Sequence, residues 1–336
     1  MLRLFLFFLI FSNFSLASEI NLFTSRHYTS DVKLFEKFTH QTGIKVNVIT
    51  GKSKVLEKRI LEEGKNSKAD ILFLADAGAL YSAQSKNLFT EIQSEKLKRK
   101  IPDSLRSKFW VGITKRSRIF FYNPSFLSQE EIRDISYEDL SDKKWYKAIA
   151  VRQSNNIYNQ SLIASMLEHN GVQKTKKWLT EFVKNFARSP QGNDRAQILM
   201  VASGEAKLAI ANSYYYALML SGKKGIEQKK AAEKVLPIFP NQLNRGTHIN
   251  ISGAGILKFS KNKKNAEKFL EFLLTDEVQL DFCSNSFEHP IVNGIKVDSF
   301  LGKISNNFLE DTSINVSIYG KRQAEAFKLM KQAGWN

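Results

Sequence analysis

The 336-residue chain contains one cysteine, so no internal disulfide can form. Cys283, in the run "VQLDFCSN", is expected to be a small buried hydrophobe. The sequence also lacks a G-x-S-x-G turn, an H-E-x-x-H pair and a phosphate-binding glycine loop. Their absence removes the commonest hydrolase, zinc-protease and nucleotide-binding chemistries, and no enzyme is expected. His40, His169, His248 and His289 are scattered without metal-ligand spacing. Internal repeats and low-complexity segments are absent, and past the amino terminus no apolar run is long enough to span a bilayer. Acidic side chains are in short supply, 33 against 50 Lys and Arg, for a formal charge of +17. That balance raises nucleic acid or an anionic surface as partners. The basic residues come in short pairs ("KKW", "GKKG", "KNKKN") at expected helix ends and loops, however, which reads as solvated surface and argues against nucleic acid.

What is present begins with "MLRLFLFFLIFSNFSLASEI". Arg3, an apolar run from Leu4 to Phe11 and the small residues of "SLA" have the layout of a secretory signal peptide, residues 1–17, with cleavage expected after Ala17. This leader has no cysteine to carry a lipid. An exported, unanchored, disulfide-free protein is expected in a bacterial periplasm.

Downstream, strand-like and helix-like segments alternate. "EINLFTS", "IKVNVIT" and "ADILFLAD" read as strands between the helices "SDVKLFEKFTHQTG", "KSKVLEKRILEEG" and "AGALYSAQSKNL". After "FWVGITKRSRIFFYN" the same grammar resumes with the strand "KAIAVRQ", a helix ended by Gly171, the helix "DRAQILMVASGE" and the strand "AKLAIAN". A strand, "HINISGAGILKF", then precedes one long helix, "NAEKFLEFLLTDEVQLDFC", and an amphipathic helix closes the chain. The pattern predicts two α/β lobes with a mostly parallel sheet covered on both faces.

The unusual feature is "IANSYYYALML", residues 209–219. Neighbours on a helix sit about 100° apart, so three consecutive tyrosines cannot share one buried face. In open α/β sheets, ligands bind beyond the carboxyl ends of strands, near helix N-termini. Tyr214 and Tyr215 occupy such a position after "AIAN", with Ser213 as the expected N-cap. Tyr158 does so after "RQSNN", and His27 and Tyr28 do so in "SRHYTSD", where Thr29 or Ser30 is the expected cap. Tyr81, Tyr122, Tyr137, Tyr146, Tyr216 and Tyr319 read as packing residues. Four phenols at three junctions suit a hard, highly charged cation, which can displace the phenolic proton by direct coordination. Ferric iron prefers such anionic oxygen donors, and helix N-termini favour the phenolate. Four phenolates around Fe³⁺ leave one negative charge, for which Arg118 is the candidate balancing cation. His27 is a candidate fifth donor, although beside Tyr28 on an extended loop its ring should point away and support the ligands from behind.

Taken in order, "INLFTSRHYTSD", "ADILFLADAGAL", "WVGITKRSRIFFYN", "SYYYALML", "HINISGAGI" and "FEHPIVNG" resemble the periplasmic ferric-iron-binding proteins that feed bacterial ABC importers, with the nearest likeness to the FutA-like proteins of cyanobacteria. The resemblance spans nearly the whole mature chain. It implies a two-lobed periplasmic-binding-protein fold (class II), hinged around a ligand cleft. Carried over residue by residue, it implies metal-binding roles for Tyr28, Tyr158, Tyr214 and Tyr215, with His27 adjacent and Arg118 near the hinge. It also implies lobes of residues 18–115 plus 247–290 and 116–246 plus 291–336. The cargo implied is Fe³⁺, with Fe²⁺ also to be considered. The partner implied is an importer permease in the inner membrane, and the chain is expected to act as a monomer. The alternative is the same fold holding an organic or inorganic anion, which the charge of +17 and Arg118 would suit.

Overall fold

The computed structural model describes residues 18–26, 28–295, 297, 300–305 and 307–336. The expected leader, residues 1–17, and His27 lie outside the described residues. Nine strands are described: β1 (Glu19–Thr24), β2 (Lys45–Thr50), β3 (Ile71–Leu74), β4 (Val111–Tyr122), β5 (Ile149–Ala150), β6 (Leu208–Asn212), β7 (Leu236–Ile238), β8 (Ile249–Ile256) and β9 (His289–Pro290). They run in the order β2-β1-β3-β8-β4-β6-β5, with β7 and β9 also paired to β4.

The centre of this arrangement is β4. Its first part, through Ser117, is laddered to β8, and from Arg118 onward its partner is β6. One continuous strand therefore serves two ladders. In the first, β1 pairs in parallel with β2 and β3, and β8 joins β3 antiparallel. In the second, β5 and β6 are parallel while β6 and β7 run against β4. The expectation of a mostly parallel sheet is thus corrected. The βαβ units at both ends are parallel, as strand–helix alternation requires, but β4 and β8 insert antiparallel between them.

Most elements follow from local pattern. The helix Thr29–Thr42 buries Leu34, Phe35 and Phe38, and Phe35 and Phe38 meet Phe269 edge-on at 5.5 and 5.1 Å. It ends at Gly43 in the left-handed region, φ 71°. The close β8–β4 crossing depends on small residues. A Cβ at Gly253 would lie 2.6 Å from the Val111 carbonyl oxygen, so only glycine fits there.

Three local expectations change. Gly171 does leave helical geometry, φ 73°, but the chain re-enters a helix at once, giving Ile157–Phe182. The long helix expected after β8 is two, Lys263–Leu273 and Asp276–Asn285, with Thr275 in extended conformation between them. Its apolar pattern runs on because both pieces bury the same kinds of residue, among them Phe269, Phe272, Val278 and Phe282. Cys283 is buried there, and burial pushes its thiol up to about 12. Tyr146 is exposed rather than packed.

Candidate functional site

Each of the four phenols stands at the carboxyl end of a strand. Tyr28 follows β1 and immediately precedes the helix Thr29–Thr42. Tyr158 follows β5 in the first turn of Ile157–Phe182, where the Asn156 side chain accepts a hydrogen bond from the Tyr158 amide at 3.1 Å. Tyr214 and Tyr215 follow β6 in the first turn of Ser213–Leu220. The expected caps are corrected. Ser213, Thr29 and Ser30 are already helical, and the flanking positions are Asn212 and Tyr28, neither with a capping side-chain bond. In each case the turn begins one residue earlier than its hydroxyl suggested, which brings the tyrosines closer to the helix axis start.

The triple tyrosine splits as helical geometry demands. Tyr216 turns into the core, its hydroxyl donating to the Val235 carbonyl at 2.5 Å and its ring 5.1 Å from Phe121. Tyr214 and Tyr215 lie together with ring centroids 4.1 Å apart. Across the junctions, the Tyr158 and Tyr214 hydroxyls are 3.4 Å apart. Tyr28 reaches the same set from the other ladder, close enough that its charge state is coupled to those of Tyr158 and Tyr214. The structure thus brings together all four tyrosines singled out in the sequence. Tyr214 is buried, and the other three are half-buried.

Without a cation, three of these phenols, Tyr28, Tyr214 and Tyr215, are held neutral. Burial first, then the Glu288 carboxylate, pushes Tyr28 well above the ordinary phenol value. Burial first, then the neighbouring Tyr158 and Tyr215, does the same to Tyr214. Burial, Tyr158 and Asp194 push Tyr215 up to about 12. Among the described residues no group of three His, Cys, Asp or Glu side chains could hold a metal.

Two buried charge clusters flank the phenols. In the first, the Arg26 guanidinium stands 4.6 Å over the Tyr28 ring and donates to Asp31 at 2.7 and 3.1 Å and to Glu288 at 2.5 Å. In the second, Asp194 takes Arg118 at 2.9 Å, Arg152 and the Asn212 amide at 3.0 Å. Arg118 also donates to Asn159 at 2.6 Å and Asn212 at 2.9 Å. Its guanidinium therefore ties together the two junctions that carry Tyr158 and Tyr214, and its partners are carboxylate and amide oxygens rather than phenols. Sequence reading had no way to see Arg26, Arg116 and Arg152. Arg116, 2% exposed, stands 5.1 Å over the Tyr158 ring, and Arg152 5.8 Å over it. Arg116 donates to the Ala75 carbonyl and to Ser252 Oγ at 3.4 Å, with the Asp76 and Glu288 carboxylates 3.8 and 3.9 Å away. Four guanidiniums thus face four carboxylates, Asp31, Asp76, Asp194 and Glu288.

A two-laddered α/β scaffold with convergent polar side chains at strand ends defines a solute-binding protein. Residues 33–295 match the model of the bacterial extracellular solute-binding proteins, and the chain belongs to that family. The fold is the two-lobed periplasmic-binding-protein fold of class II. Iron uptake protein A1 of Synechocystis is 44% identical over 319 residues, covering 94% of this chain and 87% of that protein. The major ferric iron-binding protein of Neisseria meningitidis is 26% identical, covering 94% and 93%. Among solved structures, Trichodesmium IdiA (FutA) in complex with iron and citrate superposes with a TM-score of 0.91 at 46% identity, covering 95% of this chain and all of that one.

Proposed function

We propose that this protein binds ferric iron between its lobes through the tyrosinates of Tyr28, Tyr158, Tyr214 and Tyr215, and delivers it from the periplasm to an ABC importer. One observation carries the reading: four phenols from three strand–helix junctions meet at one place, with the Tyr158 and Tyr214 oxygens 3.4 Å apart. Relatives named for iron uptake and ferric-iron binding support the choice of cargo. The leader-like first 17 residues and the extracellular family support the periplasm. No helix among the described residues is long and apolar enough to cross a membrane.

The chemistry follows from the raised phenol values. An empty site keeps its protons, and a trivalent cation supplies the energy to displace them, so loading releases protons and weakens as pH falls. Ferrous iron, with one charge fewer, displaces them less readily and should be held more weakly by the same donors. The lobes are read, from the family resemblance, as residues 18–115 plus 247–290 and 116–246 plus 291–336, and β4 changes ladders two residues past the first of these boundaries, between Ser117 and Arg118. Tyr28 then comes from one lobe and the other three from the second, so closure completes the site. The anion alternative is weaker, since each guanidinium that could hold an anion already faces a carboxylate.

The test is an absorbance titration of the purified mature protein with chelated ferric iron. A visible charge-transfer band that saturates at about one iron per chain and fades on reduction with dithionite is expected for tyrosinate ligation. A colourless protein that takes up no ferric iron would overturn the reading.

A further inference from the structure

The first two residues of the segment "FEHPIVNG", Phe287 and Glu288, reach in two directions. The helix Asp276–Asn285 ends at Ser286, and Phe287 then adopts a left-handed backbone, φ 58°. That conformation is normal for glycine at a helix end but a strained one for a bulky aromatic, and it persists only where the surroundings over-determine it. They do here. Phe287 is 3% exposed, packs with Tyr214 and Ala217, and carries the Lys223 ammonium 4.9 Å over its ring. The next side chain, Glu288, is 1% exposed and goes to the other cluster. It accepts hydrogen bonds from Arg26 at 2.5 Å, Thr114 at 2.9 Å and Ser252 at 3.0 Å, and Arg116 lies 3.9 Å away.

Consecutive residues on a strained turn thus hold the two halves of the phenol set. Glu288 fixes Arg26, whose guanidinium lies over Tyr28, and Phe287 shares a buried apolar cluster with Tyr214 and Ala217. The strand β9 that follows is anchored to β4 through Lys115 opposite His289, so the turn cannot shift without moving the ladder.

We propose that Phe287 and Glu288 are positioning residues that set the separation of Tyr28 from Tyr214, and through it the geometry in which the phenols receive the metal. Neither is a ligand. The inference rests on the iron reading given above. A carboxylate one methylene shorter keeps its charge but not its reach to Arg26, so charge and position can be told apart.

The experiment compares wild type, Glu288→Asp, Glu288→Gln and Phe287→Leu by ferric titration of the visible band, with apo-protein thermal unfolding run in parallel. Expected is a loss of roughly ten- to a hundredfold in ferric affinity in all three variants, the range typical of residues that orient metal ligands. A displaced band maximum should accompany it, which a merely stabilising residue would not produce. Glu288→Asp should fail as Glu288→Gln does. If the Glu288 variants do not fold, Phe287→Leu carries the test alone, because it leaves every ion pair in place. Variants that load iron with wild-type affinity and an unmoved band overturn this inference while leaving the iron reading intact. A wild type without any band overturns both.

Discussion

The two sides of the phenol set are built differently. Tyr158, Tyr214 and Tyr215 stand on adjacent junctions of one ladder, already in mutual contact and tied together by Arg118 and Asp194. Tyr28 comes from the other ladder, where the Arg26 guanidinium, held by Glu288, lies over its ring. On the proposed iron reading, the three-phenol side is the preorganised part of the site and Tyr28 is the donor that closure would bring in. A partial site can capture a metal, and the last donor completes and encloses it.

The comparison breaks most completely if Tyr214 and Tyr215 are both replaced by Phe. Ferric binding should vanish from the visible titration while thermal unfolding changes little, because only two hydroxyls are removed from rings that remain packed. Retained tight binding would sink the assignment. Next in size is Asp194→Asn, which leaves Arg118 and Arg152 facing a neutral amide in a buried site. A loss of about 3–5 kcal/mol in denaturant unfolding is expected, since one partner of a buried ion cluster is gone. Tyr28→Phe should be milder: a weaker band persists and ferric affinity falls roughly a hundredfold, about 2.8 kcal/mol. Its loaded form should stay more extended by small-angle scattering. Equal losses for Tyr28→Phe and the double variant would erase the asymmetry.

Acid offers the most even-handed test. Each cluster has a buried neutral histidine near it: His248, whose carbonyl oxygen accepts from the Arg118 amide, and His289, next to Glu288. Burial chiefly lowers both to about 3. An unfolded histidine titrates near 6.5, so below that value the unfolded chain binds protons that the folded chain refuses. Stability is then full above pH ~6.5 and falls by about 1.4 kcal/mol per unit and per histidine as pH drops toward 3. His289→Gln should remove half of that slope in urea melts taken across this range. An unchanged slope would show that His289 is protonated in the fold.

Much of this was legible in the residues themselves. The alternation of strands and helices placed β1, β2, β3, β6 and β8 within a few residues, because each has a short apolar run between turn signals. The four tyrosines were legible because strand–helix junctions can be read locally. Of the arginines only Arg118 was singled out. Arg116 and Arg118 are two apart on β4 and share a face. They enter different clusters because β4 exchanges β8 for β6 between Ser117 and Arg118, a fact written in the distant strands Leu208–Asn212 and Ile249–Ile256. Glu288 was invisible for the same reason, since all its partners are distant in the chain. The helix break at Thr275 was hidden by an apolar spacing that continues across it.

The long-range ladder at β3 also bears on when this molecule can acquire its shape. Ile71 pairs with Ile256 and Leu74 with Gly253, so the first sheet waits for a strand synthesised far later. Closing so large a loop is slow, and until it closes the early strands β1, β2 and β3 lack their central neighbour. For the proposed export such wiring would be an advantage, because it delays the compaction that would block a translocation channel until the later strand is at hand.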